Sequence, residues 1–149
     1  MKQGAHVLIL DPNGALIMQQ RDPEPGVIGP GKISVWGGGI EQGEQPIDAA
    51  MRELHEELEL SVKRDDLSFL GTYQRMKDIS NGDVGVYLFI FNQRVDPESL
   101  TINEGTGYHL VMADDDLDSL NMTPLVKRFV NDFFARIDRH IASESSTLK

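Results

Sequence analysis

The chain has 149 residues, of which 40% are hydrophobic and 26% are charged. This composition is typical of one globular domain with a proper core. The formal net charge of −10 disfavours loose binding to nucleic-acid backbones, but a phosphorylated small molecule paired with Mg²⁺ is compatible with it. The sequence has no cysteine, which excludes disulfides, thiolate metal sites and cysteine nucleophiles. The apolar run at the N-terminus is too short for a signal peptide or a membrane span, so we expect a cytoplasmic protein with no membrane partner.

The N-terminal part of the chain predicts a hairpin followed by a loop. Two short apolar stretches, residues 5–10 and 15–20, flank the turn signal Asp-Pro-Asn-Gly at 11–14. We therefore expect these stretches to pair as the two strands of a hairpin. Arg21 closes the hairpin at a polar end, where spacing alone favours a solvated surface residue. Residues 22–32 are rich in Pro and Gly and predict a loop over the mouth of a site.

The next segment predicts a short strand, a glycine turn and an amphipathic helix. Residues 33–36 favour a strand that leads into three consecutive glycines, and Pro46 suits a first helical position. The apolar residues that follow recur at helical spacing: Ile47, Ala50, Met51, Leu54 and Leu58. Glu53, Glu56 and Glu57 share a different face of this helix, where their charges repel unless a cation lies between them. A hard divalent cation such as Mg²⁺ suits carboxylate oxygens, although a solvated surface is the usual role of such glutamates.

The second half of the chain predicts three more strands and a terminal helix. Residues 66–76 and 84–95 favour long strands joined by a turn at 80–83, and residues 108–112 favour a last short one. A short acidic helix is expected from residue 114. Thr123 and Pro124 predict the start of a helix with a broad apolar stripe. This order predicts a mixed sheet between helices, within a single domain over residues 1–140 and a polar tail at 141–149.

The segment 37–60 carries a longer pattern than a group of glutamates. Glu44 follows Gly38 after five residues, and the block RELHEELEL at 52–60 follows Glu44 after seven more. This pattern resembles the Nudix box of the Nudix hydrolase family, of the MutT-like type. Two positions depart from it, because Glu59 stands where the family usually has Gly, and Trp36 where it usually has Pro. A left-handed helix end costs Glu about 1 kcal/mol, so the helix is expected either to end there under strain or to run on slightly.

The resemblance implies an α/β protein with an α/β/α sandwich around a mixed central sheet. It also implies that water breaks a phosphoanhydride bond in a nucleoside diphosphate linked to another group, with Mg²⁺ or Mn²⁺ as cofactor. The partner would then be a small-molecule nucleotide, and the protein would be a monomer or a homodimer.

The resemblance also implies three groups of site residues. The expected metal ligands are Glu53, Glu56, Glu57, Glu104 and the backbone carbonyl of Gly37. The expected catalytic group is Glu53 with Arg52 and Glu44, of which the last two pair to hold the loop in place. The expected substrate contacts are Arg21, Trp36, Gly38 and Gly39. For Trp36, a core position and a wall of the pocket remain equal alternatives.

Two glutamates compete for the role of general base. Glu53 lies on a helix that fixes its distance from the cations, whereas Glu104 lies on a loop that the resemblance alone brings to the site. We expect Glu53 to be the base, or a ligand of the ion that activates the water, and Glu104 to be an auxiliary ligand. A solvated loop carboxylate is the alternative for Glu104.

The sequence gives little information about which nucleotide is the substrate. Diadenosine polyphosphate hydrolases of this family tend to carry a tyrosine some sixteen to eighteen residues past the box, where this chain has Met76, Lys77 and Asp78. ADP-sugar hydrolases tend to carry a proline near the place of Arg75, and the NADH-type motif is also missing. Elimination favours a nucleoside triphosphate pyrophosphohydrolase. The alternatives are an ADP-sugar or other nucleotide-sugar diphosphatase and a non-catalytic nucleotide-binding Nudix module.

Overall fold

The computed structural model describes residues 3–23, 31–74 and 85–147, with side chains described up to residue 137. The helices are α1 (Pro46–Leu58) and α2 (Pro124–Thr147). The strands are β1 (Gly4–Leu8), β2 (Leu16–Gln20), β3 (Ile33–Ser34), β4 (Trp36–Gly39), β5 (Leu67–Gln74), β6 (Gly85–Phe91) and β7 (Gly107–Val111). Single turns of 3₁₀-helix lie at Arg64–Asp66, Pro97–Ser99 and Leu117–Ser119. Neither α1 nor α2, as far as it is described, has the length and hydropathy to cross a membrane.

The strands form two sheets. The larger sheet has the order β4-β1-β6-β5 and is mixed, because β1 runs parallel to β6 and antiparallel to β4. The smaller sheet has the order β3-β2-β7 and is antiparallel throughout. The α/β class with a mixed sheet is therefore confirmed.

The predicted hairpin forms around its turn, and its extension into β1 and β2 is wrong. Asp11 is buried, and its Oδ1 accepts the N–H groups of Asn13 at 2.9 Å and Ala15 at 2.8 Å. The chain pairs at the bridge between Leu10 and Leu16, where the N–H of Ile17 donates to the Ile9 carbonyl at 2.8 Å, and the two strands then enter different sheets. A strand has two hydrogen-bonding edges. Those of β1 are taken by β4 and β6, and those of β2 by β3 and β7.

Each helix packs on its own apolar cluster. The stripe of α1 contributes four fully buried residues: Ala49, Ala50, Leu54 and Leu58. They pack with strand residues that include Val7, Ile17 and Phe89. The stripe of α2 contributes Val126, Phe129, Val130, Phe133 and Phe134 to a second cluster with Leu8, Met18 and Leu88. The successive strand residues Val7 and Leu8 point to opposite faces, so the helices lie on the two sides expected of a sandwich.

Helix α2 begins as predicted, with Thr123 as its cap and Pro124 in its first turn. The Thr123 hydroxyl accepts the N–H of Val126 at 3.2 Å, and Pro124 occupies the first turn. The helix continues to Thr147, into the segment that the sequence predicted as a tail. The division into a domain at 1–140 and a tail at 141–149 stays a prediction. The predicted turn at 80–83 and the predicted strand ends at 75, 76 and 84 lie outside the described residues.

Helix α1 ends in a left-handed residue that is not glycine. Glu59 has φ of 52° and ψ of 32°, and it is the one non-glycine residue with positive φ in the described ranges. Its N–H donates to the His55 carbonyl at 2.9 Å, and the N–H of Leu60 donates to the Leu54 carbonyl at 3.3 Å. This pair of bonds is typical of a helix end that glycine usually makes. Of the two expected outcomes, the strained end forms and the longer helix does not.

Replacing Glu59 by glycine should stabilise the protein. The Glu59→Gly variant removes the Cβ that is strained in the left-handed region, so the free energy of unfolding should rise by about 1 kcal/mol in denaturant titrations. Glu59→Ala is the matched control, since it removes the charge and keeps the Cβ. An equal gain in both variants would attribute the effect to the carboxylate, and no gain with glycine would contradict the strain.

Candidate functional site

The glycine turn of β4 lies directly against neighbouring backbone and against α1. Gly37 has φ of 134°, and a Cβ there would lie 2.2 Å from the carbonyl oxygen of Ala5. A Cβ on Gly38 would lie 2.5 Å from Oε1 of Glu53. Among the described residues, apart from Gly39 and its two chain neighbours, no atom lies within 4 Å of the corresponding position on Gly39. The missing side chains at Gly37 and Gly38 therefore let the turn approach the acidic face of α1.

Arg52 joins the carboxylates at one end of this site. Its Nε and Nη2 donate to the two oxygens of Glu44 at 2.9 and 3.0 Å, and Nη2 also donates to the Gly39 carbonyl at 3.0 Å. Its Nη1 lies 3.0 Å from Glu53 and 3.3 Å from Glu56. The hydrogen bond from Arg52 lowers the pKa of Glu44, and the carboxylates raise the pKa of Arg52. The predicted pair with Glu44 forms, and with the bond to the Gly39 carbonyl it ties the turn and its loop to the helix.

Glu57 is the buried acid of the site. Its residue is 3% exposed, and its Oε2 accepts the N–H of Gly37 at 2.8 Å. Burial, the larger cause, and the hydrogen bond with Glu104 together raise the pKa of the Glu57 carboxyl to about 9, although the Gly37 N–H acts to lower it. Burial also raises the pKa of Glu53, against the effect of Arg52. Ionised carboxylates at this place therefore need a positive charge that the neighbouring side chains do not fully supply.

The structure brings Glu104 to the helix. The N–H of Asn103 donates to the Glu57 carbonyl at 2.7 Å, and its side-chain Nδ2 donates to the Glu56 carbonyl at 3.1 Å. On the other side, Nε2 of Gln19 donates to the Glu104 carbonyl at 3.2 Å. Sequence reasoning missed Asn103 and Gln19. The signal for Asn103 is its place next to Glu104, whereas its partners are backbone atoms that no sequence pattern reveals.

The oxygen atoms of these carboxylates suit a divalent cation, but the side chains do not converge on one point in this structure. Among the side chains that the structure describes, within residues 3–23, 31–74 and 85–137, no three of His, Asp or Glu converge at the distances of a metal site. The cause is Arg52, which draws Glu53 and the half-exposed Glu56 to itself, while Glu57 faces Gly37 and Glu104. A hard cation needs oxygen ligands of this kind, and the buried Glu57 beside Glu104 lacks compensating charge. The donor set therefore fits Mg²⁺ or Mn²⁺.

A cavity of about 300 Å³ lies beside Glu104. Its lining residues are Gln19, Arg21, Asp22, Asn103, Glu104 and Gly105. The predicted substrate contact Arg21 thus shares the cavity with the predicted auxiliary ligand Glu104.

Trp36 lies in the core, which corrects its assignment to the substrate contacts. Its exposed fraction is 0%, and its indole N–H donates to the carbonyl of Ile17 at 2.8 Å. The side chain fills the apolar cluster under α1, so it offers no surface to a ligand. Of the two alternatives, the core position is the one that forms.

Comparisons with known proteins agree with this architecture. The family model of the NUDIX domain matches residues 2–131, and the chain belongs to this family. A search of curated proteins finds no significant match. Among solved structures, the MutT protein of Methanosarcina mazei Go1 has a TM-score of 0.71 at 20% identity, over 93% of this chain and 94% of that one. Together with the hydrolases among the neighbours, the family supports a pyrophosphohydrolase enzyme.

Two further neighbours are enzymes named for different activities. The dihydroneopterin triphosphate pyrophosphohydrolase of E. coli has a TM-score of 0.65 at 18% identity, over 87% of this chain and 92% of that one. The Ap4A hydrolase of C. elegans has a TM-score of 0.64 at 16% identity, over 91% of this chain and 98% of that one. These likenesses show a shared fold, and the site residues of this chain must decide its substrate.

Alanine at Gly38 should impair the site without unfolding the protein. In Gly38→Ala the new methyl group must displace the Glu53 carboxylate, the end of a flexible side chain, so turnover should fall about a hundredfold. The thermal midpoint should change little. Gly39→Ala is the matched control, because its methyl group meets no atom within 4 Å among the described residues beyond its chain neighbours and should cause a much smaller loss. Equal losses in the two variants would contradict the close approach of Gly38 to Glu53.

Proposed function

We propose that the protein hydrolyses a nucleoside triphosphate, releasing a nucleoside monophosphate and pyrophosphate in a reaction that requires Mg²⁺ or Mn²⁺. The observation that carries the proposal is the buried Glu57, which lies between the N–H of Gly37 and the carboxyl of Glu104 at the edge of a polar cavity. Burial of the Glu57 carboxylate next to the exposed Glu104 carboxyl is costly unless a cation joins them. A phosphate-bearing substrate that binds in the adjacent cavity would use the same cation.

The proposed ligands are carboxylates of α1 and of the loop that follows β6. Glu53, Glu56, Glu57 and Glu104, with the carbonyl of Gly37, would hold the cation. The bound ion would neutralise the diphosphate and lower the pKa of the attacking water. Coordination requires Glu53 and Glu56 to turn partly from Arg52, whose contacts with Glu44 and Gly39 keep the turn in place meanwhile.

Glu53 is the proposed base that accepts the proton of the attacking water. Its side chain is 13% exposed and lies against Gly38, where the absence of a Cβ leaves room for the carboxylate. The helix holds it on rigid backbone, as base geometry requires. Glu104 is the proposed auxiliary ligand.

The cavity supports a phosphate-bearing substrate. Arg21 is half-buried in its lining, and a guanidinium is well suited to bind phosphate oxygens. The choice of a triphosphate over other nucleotide substrates depends on residues 75–78, which lie outside the described residues. A nucleotide-sugar diphosphatase and a nucleotide-binding module without catalysis are the alternatives. The complete set of box carboxylates favours catalysis over the module.

The remaining expectations stay proposals. We retain the cytoplasm as the proposed location, on the basis of the sequence. A monomer or a homodimer is the proposed assembly, and neither nucleic acid nor a membrane is a proposed partner.

A panel of nucleotides with defined metal content tests the proposal. With Mg²⁺ or Mn²⁺ the purified protein should hydrolyse at least one nucleoside triphosphate, canonical or modified, to monophosphate and pyrophosphate, identified by chromatography. Activity should vanish with excess chelator and return with metal, because the carboxylates alone leave the phosphate charge uncompensated. Full activity in chelator would contradict the metal mechanism. A preference for ADP-ribose over every triphosphate would overturn the substrate and favour the nucleotide-sugar alternative.

Two glutamine variants test the assignment of the base. Glu53→Gln should lower kcat at saturating Mg²⁺ at least about a hundredfold, because a base commonly contributes 10²- to 10⁴-fold. Glu104→Gln should be impaired less, in keeping with an auxiliary ligand. Single-turnover measurements separate these losses from product release. The reverse ranking would transfer the role of the base to Glu104.

A further inference from the structure

Two amide side chains hold the backbone on either side of Glu104. Asn103 precedes it and makes two bonds to α1, from its N–H to the Glu57 carbonyl at 2.7 Å and from Nδ2 to the Glu56 carbonyl at 3.1 Å. Gln19 of β2 donates from Nε2 to the carbonyl of Glu104 itself, at 3.2 Å. The loop is thereby fastened both to the helix and to the smaller sheet.

The contact with α1 has a physical basis in the end of the helix. The last four carbonyls of a helix have no intrahelical donor, and Glu56 and Glu57 lie in this last turn. Asn103 supplies donors to both carbonyls. Asn103 is exposed, so water could replace its amide at little cost in stability. Water could not, however, hold the loop at a fixed distance from the Glu57 side chain.

The other side of the loop is equally constrained. Gly105 has φ of 91°, and a Cβ there would lie 2.4 Å from the carbonyl oxygen of Gln20. The same carbonyl accepts the N–H of Thr106 at 2.9 Å. Gln19 is 1% exposed, so the amide that holds Glu104 is itself fixed by the core. Glu104 thus lies on a short segment between two anchored points, instead of on a loop that must close over the substrate.

We propose that Asn103 is a positioning residue, which pins the loop to the last turn of α1 and so holds Glu104 against Glu57 as a ready pair of cation ligands before substrate binds. This inference rests on the proposed metal-dependent hydrolysis and adds the group that organises its second carboxylate. The amide of Asn103, which also lines the cavity, acts through the position of the Glu104 carboxylate.

The test measures Mn²⁺ binding in the absence of nucleotide, by the electron paramagnetic resonance of free Mn²⁺. In Asn103→Ala the N–H bond to Glu57 remains and only the amide bond to Glu56 is lost. Affinity for Mn²⁺ should fall about tenfold, the scale typical of groups that orient metal ligands. With triphosphate substrate, kcat should fall while KM changes little. The thermal midpoint should stay close to that of the wild-type protein, because Asn103 is exposed.

Asn92→Ala is the matched control for the loss of an amide. Asn92 follows β6, is exposed, and donates to the carbonyl of Asp65 at 3.4 Å, away from the site residues. This variant should bind Mn²⁺ and turn over substrate as the wild type does. A loss of Mn²⁺ affinity equal to that of Asn103→Ala would overturn the proposed role of Asn103.

A double-mutant cycle shows whether Asn103 acts through Glu104. In a Glu104→Gln background, Asn103→Ala should cause no further loss of Mn²⁺ affinity, since the ligand that it positions is already gone. Additive losses, or a lowered thermal midpoint with unchanged Mn²⁺ affinity, would overturn the inference. Failure of the proposed function looks different, as wild-type protein that binds Mn²⁺ but hydrolyses no triphosphate. In that case the loss of Mn²⁺ affinity in Asn103→Ala would still support the positioning role.

Discussion

The burial of Glu57 is the constraint on which the site depends. A carboxylate that is 3% exposed loses most of its hydration, and another carboxyl, Glu104, lies beside it. Such a group is stable only with hydrogen bonds, a proton or a cation to replace water. The N–H of Gly37 supplies one hydrogen bond, which requires the turn of β4 to approach α1 closely. The glycine turn and the anchored loop are thus two consequences of one buried charge.

Arg52 determines which carboxylates of the site lack a positively charged partner. It makes hydrogen bonds to Glu44, Glu53 and Glu56 at one end of the acidic face, so these carboxylates are already compensated. Only the pair with Glu56 is exposed, and an exposed ion pair adds only about 0–1 kcal/mol. Glu57 and Glu104 have no such partner in the described chain. A cation is therefore most strongly favoured beside these two carboxyl groups. The arginine therefore shapes the site without occupying its centre.

Local patterns predicted the parts of this site that lie within one element. The stripe of α1 and the contact of Arg52 with Glu56 follow from helical periodicity, and the start of the helix at Pro46 follows from the preference of proline for a first turn. The extension of the hairpin into β1 and β2 was wrong because the competition for strand edges involves β4, β6 and β7, far along the chain. Trp36 was ambiguous because a tryptophan beside a turn suits both a core and a pocket. Asn103 escaped because its partners are carbonyl groups, which every residue has.

The end of α1 links the departure from the family pattern to the site. Glu59 takes the left-handed conformation in place of the usual glycine, and it turns the chain away directly after Leu58. If the helix continued, the carbonyls of Glu56 and Glu57 would accept bonds from its next turn. They would then be lost to Asn103, and the loop would have no anchor beside Glu57. The left-handed end at Glu59 therefore accompanies an arrangement that leaves two carbonyls free for the loop.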